Sequence, residues 1–261
     1  MARAFIFGLG YTGVRVAERL RACGWDVAGT GGGSALKFDD TVAVSVALGP
    51  ATHVVSTIPP GSGLLDSYGP LLHDKWLGYL SSTGVYGDAG GAWVDESALL
   101  NGRRGGRIDE DAAWLARDAR VFRLPGIYGP GRSALERVLS GAAHRVDVPG
   151  QVFSRVHVDD IVAGVRAGFD APSGAYNLSD DRPCDQNTVM EAAARLLGVP
   201  PPAVRTARHA VTTSTRLLCR EPPRREWQGQ AHPRLDACLS RFRLRPARVS
   251  SRSRHASRLG R

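Results

Sequence analysis

Short β-branched or aromatic runs alternate with segments of helical spacing over the first 200 residues, which predicts an α/β fold with a mostly parallel sheet. Ala4-Phe5-Ile6-Phe7 is an apolar run that stops at a glycine cluster, the pattern of a buried first strand. Val14, Ala17, Leu20 and Ala22 follow at helical spacing, and Gly24 supplies a C-terminal stop. Further strands are predicted over 25–28, 53–58, 76–81 and 120–124, with Pro59-Pro60-Gly61 and Pro125 closing two of them. Helices are predicted over 108–117 and 133–140. Beyond Pro130 the elements shorten: a helix over 156–169, a short strand over 175–178, and an amphipathic helix over 188–197 stopped by Gly198 and Pro200. No internal repeat is visible, and after Pro202 the periodicity fails.

Composition narrows the class. A chain of 261 residues, 43% hydrophobic and 23% charged, can bury a sizeable core and is neither disordered nor collagen-like. No apolar stretch reaches the roughly 18 residues of a membrane span. The start, MARAFIFGLG, mimics a secretory leader, but its apolar run ends at Gly8, so a cytoplasmic, non-membrane protein is expected.

The net charge of +9 misleads as a sum. Residues 203–261 hold 15 Arg, no Lys and three acids, while residues 1–202 carry 19 bases against 22 acids. The segment 203–261 therefore reads as an Arg-rich tail of low structure. It has three readings: a disordered tail, a nucleic-acid-binding tail, or a C-terminus translated out of frame, since high-GC coding DNA gives such composition in a wrong frame. With only Trp227 and Phe242 available for stacking, nucleic acid is not the expected partner. Cys23, Cys184, Cys219 and Cys238 lie far apart without metal-ligand spacing and read as ordinary thiols, so no metal is expected.

Gly8-Leu9-Gly10-Tyr11-Thr12-Gly13 fits G-x-G-x-x-G, with a strand before it and a helix after it. Gly8 permits the tight turn, Gly10 lets backbone approach a pyrophosphate, and Gly13 allows close helix–strand packing. The amides of Tyr11, Thr12 and Gly13 are placed to meet phosphates at the helix N-terminus. The acid usually found at the end of strand two is missing, since that stretch reads Ala28-Gly29-Thr30-Gly31-Gly32-Gly33. Asp26 comes too early, and Lys37 and Asp39 come later, so the sequence selects neither NAD nor NADP. Thr30 and Ser34 remain as candidates to bond a ribose or a phosphate.

Leu80-Ser81-Ser82-Thr83-Gly84-Val85-Tyr86-Gly87-Asp88 puts hydroxyls at the C-terminal end of a strand, where open α/β sheets bind ligands. Arg123-Leu124-Pro125-Gly126-Ile127-Tyr128-Gly129-Pro130-Gly131-Arg132 is a second strand-to-loop transition. With Phe153 to Ile161 (FSRVHVDDI) and Tyr176-Asn177-Leu178, these segments resemble, in order over residues 1–200, the extended short-chain dehydrogenase/reductase superfamily, its NAD-dependent epimerase/dehydratase group. The resemblance implies a doubly wound Rossmann domain over 1–125 that binds NAD or NADP, substrate-region elements over 126–202 interleaved with it, and a homodimer built on helices flanking the sheet. It makes Ser82 the catalytic hydroxyl, and places Thr57, Ile58, Pro59 and Pro125 beside the cofactor.

The chain departs from the family pattern at its general base. The Tyr of Y-x-x-x-K falls on Arg103 and the Lys on Arg107, and Gly126 stands in place of Asn. Arginine cannot shuttle protons near neutral pH. Tyr86 is the nearby phenol and hence the second catalytic candidate. Asp159 and Asp160 read as helix-dipole and capping residues beside His157, and Arg132 as a grip for a substrate phosphate or carboxylate. The expected function is an NAD(P)-dependent oxidoreductase or epimerase acting on a hydroxyl/carbonyl small molecule, such as a nucleotide sugar. The alternatives are a non-catalytic NAD(P) or nucleotide sensor, and nucleic-acid association through the tail.

Overall fold

Four successive apolar residues of β1 (Arg3–Phe7) are buried, because helices cover both faces of the sheet in which it lies. The computed structural model describes residues 2–102, 105–205 and 216–217. The chain continues through α1 (Tyr11–Ala22), β2 (Asp26–Thr30), α2 (Thr41–Leu48), β3 (His53–Ser56), α3 (Leu64–Tyr68), β4 (Trp76–Ser82) and β5 (Trp93–Val94). Next come α4 (Gly105–Leu115), β6 (Arg120–Leu124), β7 (Gly126–Tyr128), α5 (Ala134–Leu139), β8 (Arg145–Val146), β9 (Arg155–His157) and α6 (Val158–Ala167). The last described elements are β10 (Gly174–Asn177), α7 (Gln186–Leu197), β11 (Val204–Arg205) and β12 (Arg216–Leu217).

Six strands pair in parallel in the order β10-β6-β4-β3-β1-β2. This is the doubly wound α/β fold expected from the sequence. Alternate residues feed opposite cores. Phe5, Phe7, Val54, Tyr79 and Val121 pack with Val44, Leu64, Tyr68 and Trp114 from α2, α3 and α4. Ala4, Ile6, Val55, Phe122 and Leu124 pack with Val16, Leu20, Ile161 and Val165 from α1 and α6. The chain turns to β2 on one side of β1 and to β3 on the other. Loops leaving β1 and β3 therefore diverge and open a crevice at their carboxyl ends, the switch point at which such sheets bind ligands.

Two local differences from the sequence expectation have clear causes. The helix expected over 156–169 starts only at Val158, because residues 155–157 pair with β7 as a strand. The sequence reading places no element at 41–48, yet α2 forms there. Val42, Val44 and Val46 alternate as in a strand, and Asp40 starts a helix instead, its carboxylate accepting the Ala43 N–H at 3.0 Å. Arg103, most of the Arg-rich tail, Cys219 and Cys238 lie outside the described residues.

Candidate functional site: a glycine-lined cleft at the sheet's carboxyl edge

The first loop is fixed from below and open above. Gly8 has φ +94°, and its N–H and that of Leu9 both donate to the Thr30 carbonyl, at 3.1 and 2.7 Å. Thr57 Oγ1 donates to the Gly8 carbonyl at 2.5 Å. A Cβ on Gly8 would stand 2.6 Å from Ile58 Cγ2, and one on Gly13 would stand 2.1 Å from the Gly8 carbonyl oxygen. A Cβ on Gly10 would meet nothing within 4 Å. So Gly8 and Gly13 are glycines for packing, whereas Gly10 leaves free space beside the start of α1. Among the described residues, the amides of Tyr11, Thr12 and Gly13 have no backbone partner. Free space beside unpaired amides at a helix N-terminus is a cradle that fits a pyrophosphate.

Next to the cradle is a cleft of about 470 Å³, lined among others by Gly8, Thr30, Gly31, Ile58 and Pro59. Four of the expected cofactor residues, Gly8, Thr30, Ile58 and Pro59, therefore share one cavity wall. Their roles differ from the expectation in two places. Thr30 is only 2% exposed and holds the glycine loop through its carbonyl. Ser34, expected as a ribose or phosphate ligand, is committed internally: its Oγ donates to Gly29 O at 2.8 Å and accepts the Leu36 N–H at 3.1 Å. Thr57 likewise positions the loop, and Thr12 is buried beneath it. Pro125 lies half-buried between β6 and β7, two strands away from β3 in the sheet.

Ser82 ends β4 at the same edge of the sheet. Its Oγ accepts the Gly84 N–H at 3.1 Å and so caps the turn that follows. A Cβ on Gly84 would lie 3.3 Å from Ser82 Oγ and 3.8 Å from Arg107 Cδ, so both side chains lie beside Gly84. Tyr86, the second catalytic candidate, is corrected by the structure. It is 4% exposed, its hydroxyl donates to Asn177 Oδ1 at 2.7 Å and accepts from Arg123 Nη1 at 3.1 Å. Burial pushes its phenol pKa up, with the Arg123 bond pulling the other way. A buried phenol committed to two partners is a structural group, not a base open to substrate.

Tyr86 belongs to a polar network that the sequence did not reveal. Arg123 forms a two-pronged ion pair with Asp111, Nε to Oδ2 at 3.1 Å and Nη2 to Oδ1 at 2.8 Å, and both side chains are almost fully buried. Ser81 Oγ donates to Asp111 Oδ2 at 2.7 Å. The Asn177 N–H donates to Glu96 Oε1 at 2.7 Å, which ties β10 to the segment after β5. The available signal was Arg123 in the apolar run Val121 to Leu124, with Asp111 on the helix before it as an acid to pair with it.

Arg132 is exposed, and its guanidinium lies 5.6 Å from the Tyr11 ring, which Arg15 covers on closer terms at 4.0 Å. Tyr11 Oη donates to Pro130 O at 3.1 Å, so the loop carrying Arg132 is joined to the glycine loop. His157, not the aspartates, caps α6: its Nδ1 accepts the Asp159 N–H at 3.2 Å. Asp160 is half-buried near Asp180. Burial, reinforced by Asp159 and Asp180, lifts the Asp160 carboxyl to about 7, and burial lifts Asp180 to about 6. The native state thus holds protons that the unfolded chain releases near pH 4. Their contribution to stability is complete below that pH and is lost as pH rises to about 7. Asp160→Asn should therefore raise the melting temperature at pH 8 and leave it nearly unchanged at pH 4, as measured by thermal unfolding across that range.

Among the described residues, no helix is long and apolar enough to cross a membrane, and no three His, Cys, Asp or Glu residues gather as a metal site. No family model matches the chain. It is 27% identical to Protein YeeZ of Escherichia coli K12 over 244 residues, 79% of this chain and 88% of that one. A conserved protein of unknown function from Silicibacter pomeroyi superposes with a TM-score of 0.73 and 32% identity, covering 84% of this chain and 90% of the other. The dTDP-glucose 4,6-dehydratase of Bacillus anthracis, solved in complex with NAD, superposes with a TM-score of 0.70 over 84% of this chain and 88% of its own, at 14% identity.

Proposed function

Because the chain belongs with the Silicibacter protein to one family, within the extended short-chain dehydrogenase/reductase superfamily, we propose that it is an NAD(P)-dependent oxidoreductase or epimerase working on a hydroxyl/carbonyl pair, with a nucleotide sugar as the substrate class. The observation that carries this reading is the cradle: Gly10 leaves space beside the unpaired amides of α1, next to a cleft at the switch point of the sheet. The amides of Tyr11, Thr12 and Gly13, beside the space left by Gly10, would hold the pyrophosphate, with Gly8, Thr30 and Thr57 keeping the loop in place. Ile58 and Pro59 would wall the adenosine side. A dinucleotide bound there supplies or accepts a hydride at its nicotinamide.

The chain's own groups then serve the reacting oxygen. Ser82 Oγ takes the Gly84 N–H with a lone pair, so its proton is available to donate to a substrate oxygen. Arg107, beside the same Gly84, would stabilise negative charge on that oxygen electrostatically through its guanidinium. Arg132 is placed on the loop joined to Tyr11, where it would take an anionic part of the substrate. Ser82→Ala should lower kcat about 10²- to 10³-fold while dinucleotide affinity stays the same. Unchanged turnover would remove Ser82 from the mechanism.

A second reading has one specific observation in its favour. Tyr86 is sealed in the network of Arg123 and Asn177, which suits a protein that binds a dinucleotide and passes its occupancy to a partner without turnover. Saturable binding with no hydride transfer to any carbonyl or alcohol tested would favour this sensor.

A further inference from the structure

We propose that the adenosine end of the cleft is built for a dinucleotide bearing a 2′-phosphate, with Lys37 as its counter-charge. The inference rests on the dinucleotide reading above and narrows it from NAD or NADP to NADP. Discrimination between the two is ordinarily exercised at the end of β2, where a carboxylate bonds the 2′-hydroxyl and repels a phosphate. In this chain no acid stands there: β2 ends on the buried Thr30, and Gly31, Gly32 and Gly33 follow it. A Cβ on Gly29 would stand 2.4 Å from the Ile6 carbonyl oxygen, and one on Gly32 only 1.6 Å from that of Leu9. Gly31, Gly32 and Gly33 have φ of +83°, +59° and +83°, so the strand leaves the sheet in a left-handed turn, closed by the Ser34 N–H donating to Gly31 O at 3.0 Å. Gly29 and Gly32 have no room for a carboxylate side chain, and the stretch from Gly29 to Gly33 holds no acid to repel a phosphate.

The same turn offers donors. Among the described residues, the amides of Gly31, Gly32 and Gly33 have no backbone partner, and successive backbone N–H groups in such a turn form a concavity suited to an anion. Gly31 lines the cleft. Ser34, bonded to Gly29 O and Leu36 N, folds residues 31–37 back over the end of β2. Lys37 follows three residues later and is the only cation among the described residues that line the cleft. The one anion there, Asp39, lies towards Tyr68, whose hydroxyl is bonded to the Phe38 carbonyl and whose pKa Asp39 helps to raise after burial. Among its described lining residues the cleft thus offers one cation and one carboxylate, with the free amides of the glycine turn beside them.

The test is a fluorescence titration of the full chain with NADPH and NADH, repeated on Lys37→Ala, with 2′,5′-ADP and 5′-AMP as fragments that report the adenosine end alone. NADPH is expected to bind about ten- to a hundredfold tighter than NADH, with the same order for the fragments. Lys37 is exposed, so the variant should fold, and the preference should fall to near unity through weaker NADPH binding with NADH unmoved. Saturable NADH binding as tight as NADPH would overturn the inference and leave the dinucleotide reading standing. A preference that survives Lys37→Ala would overturn the assignment of Lys37. Binding of neither dinucleotide would overturn both.

Discussion

Gly10→Asp is expected to abolish dinucleotide binding and to leave the chain folded. A Cβ at this position meets nothing within 4 Å, so the substitution brings no clash, and φ at Gly10 is −85°, open to any residue. The new carboxylate would occupy the space kept for a phosphate, beside the amides of Tyr11, Thr12 and Gly13. It would supply those amides with an anion from the chain itself and repel the one brought by the ligand. The loss in affinity should be at least about a hundredfold, with a melting temperature within a few degrees of the parent. Titration and thermal unfolding of the same preparation measure both. Retained affinity would place the dinucleotide elsewhere on the molecule. Gly13→Ala is the contrasting case: its Cβ would strike the Gly8 carbonyl oxygen at 2.1 Å, so it should destabilise the fold before it reports on binding.

Asp111→Ala carries the largest expected effect on stability. It leaves the Arg123 guanidinium buried with its ion pair gone and takes away the acceptor of Ser81 Oγ. Removing one partner of a buried pair costs about 3–5 kcal/mol, which for a domain of this size lowers the melting temperature by about 10 °C or more. Arg123→Met on top of it should recover part of the loss, because the unpaired charge is then gone. If the double variant were no more stable than Asp111→Ala, the penalty would come from lost packing between α4 and β6, not from the stranded charge.

The two substitutions fall on features that were unequally legible in the sequence. The glycine loop could be read because each glycine answers a separate steric demand at a fixed spacing, and the strand and helix around it carry their own hydrophobic periods. The α/β order could be read for the same reason, since buried parallel strands such as Ala4 to Phe7 are apolar at every position. α2 was hidden because Val42, Val44 and Val46 imitate a strand while a single side chain, Asp40, sets the helix. The network of Ser81, Tyr86, Asp111, Arg123 and Asn177 was hidden because its members come from four separate segments and meet only when β4, β6 and β10 lie side by side. Tyr86 reads as catalytic along the chain because it stands close in sequence to Ser82. The backbone turn after β4 carries it into the core instead. Ser34 shows the reverse limit: its hydroxyl looks free along the chain and is taken by its own loop.

The most direct test of the account is the affinity of the unaltered chain for a reduced dinucleotide, followed by energy transfer from tryptophan to the nicotinamide. Saturable binding with a Kd below about 100 μM, competed by a fragment containing the adenosine and its phosphates, is the predicted result. No saturation with either NADPH or NADH up to millimolar concentration would mean that the cradle beside Gly10 holds no dinucleotide, and the proposed redox function would fall with it.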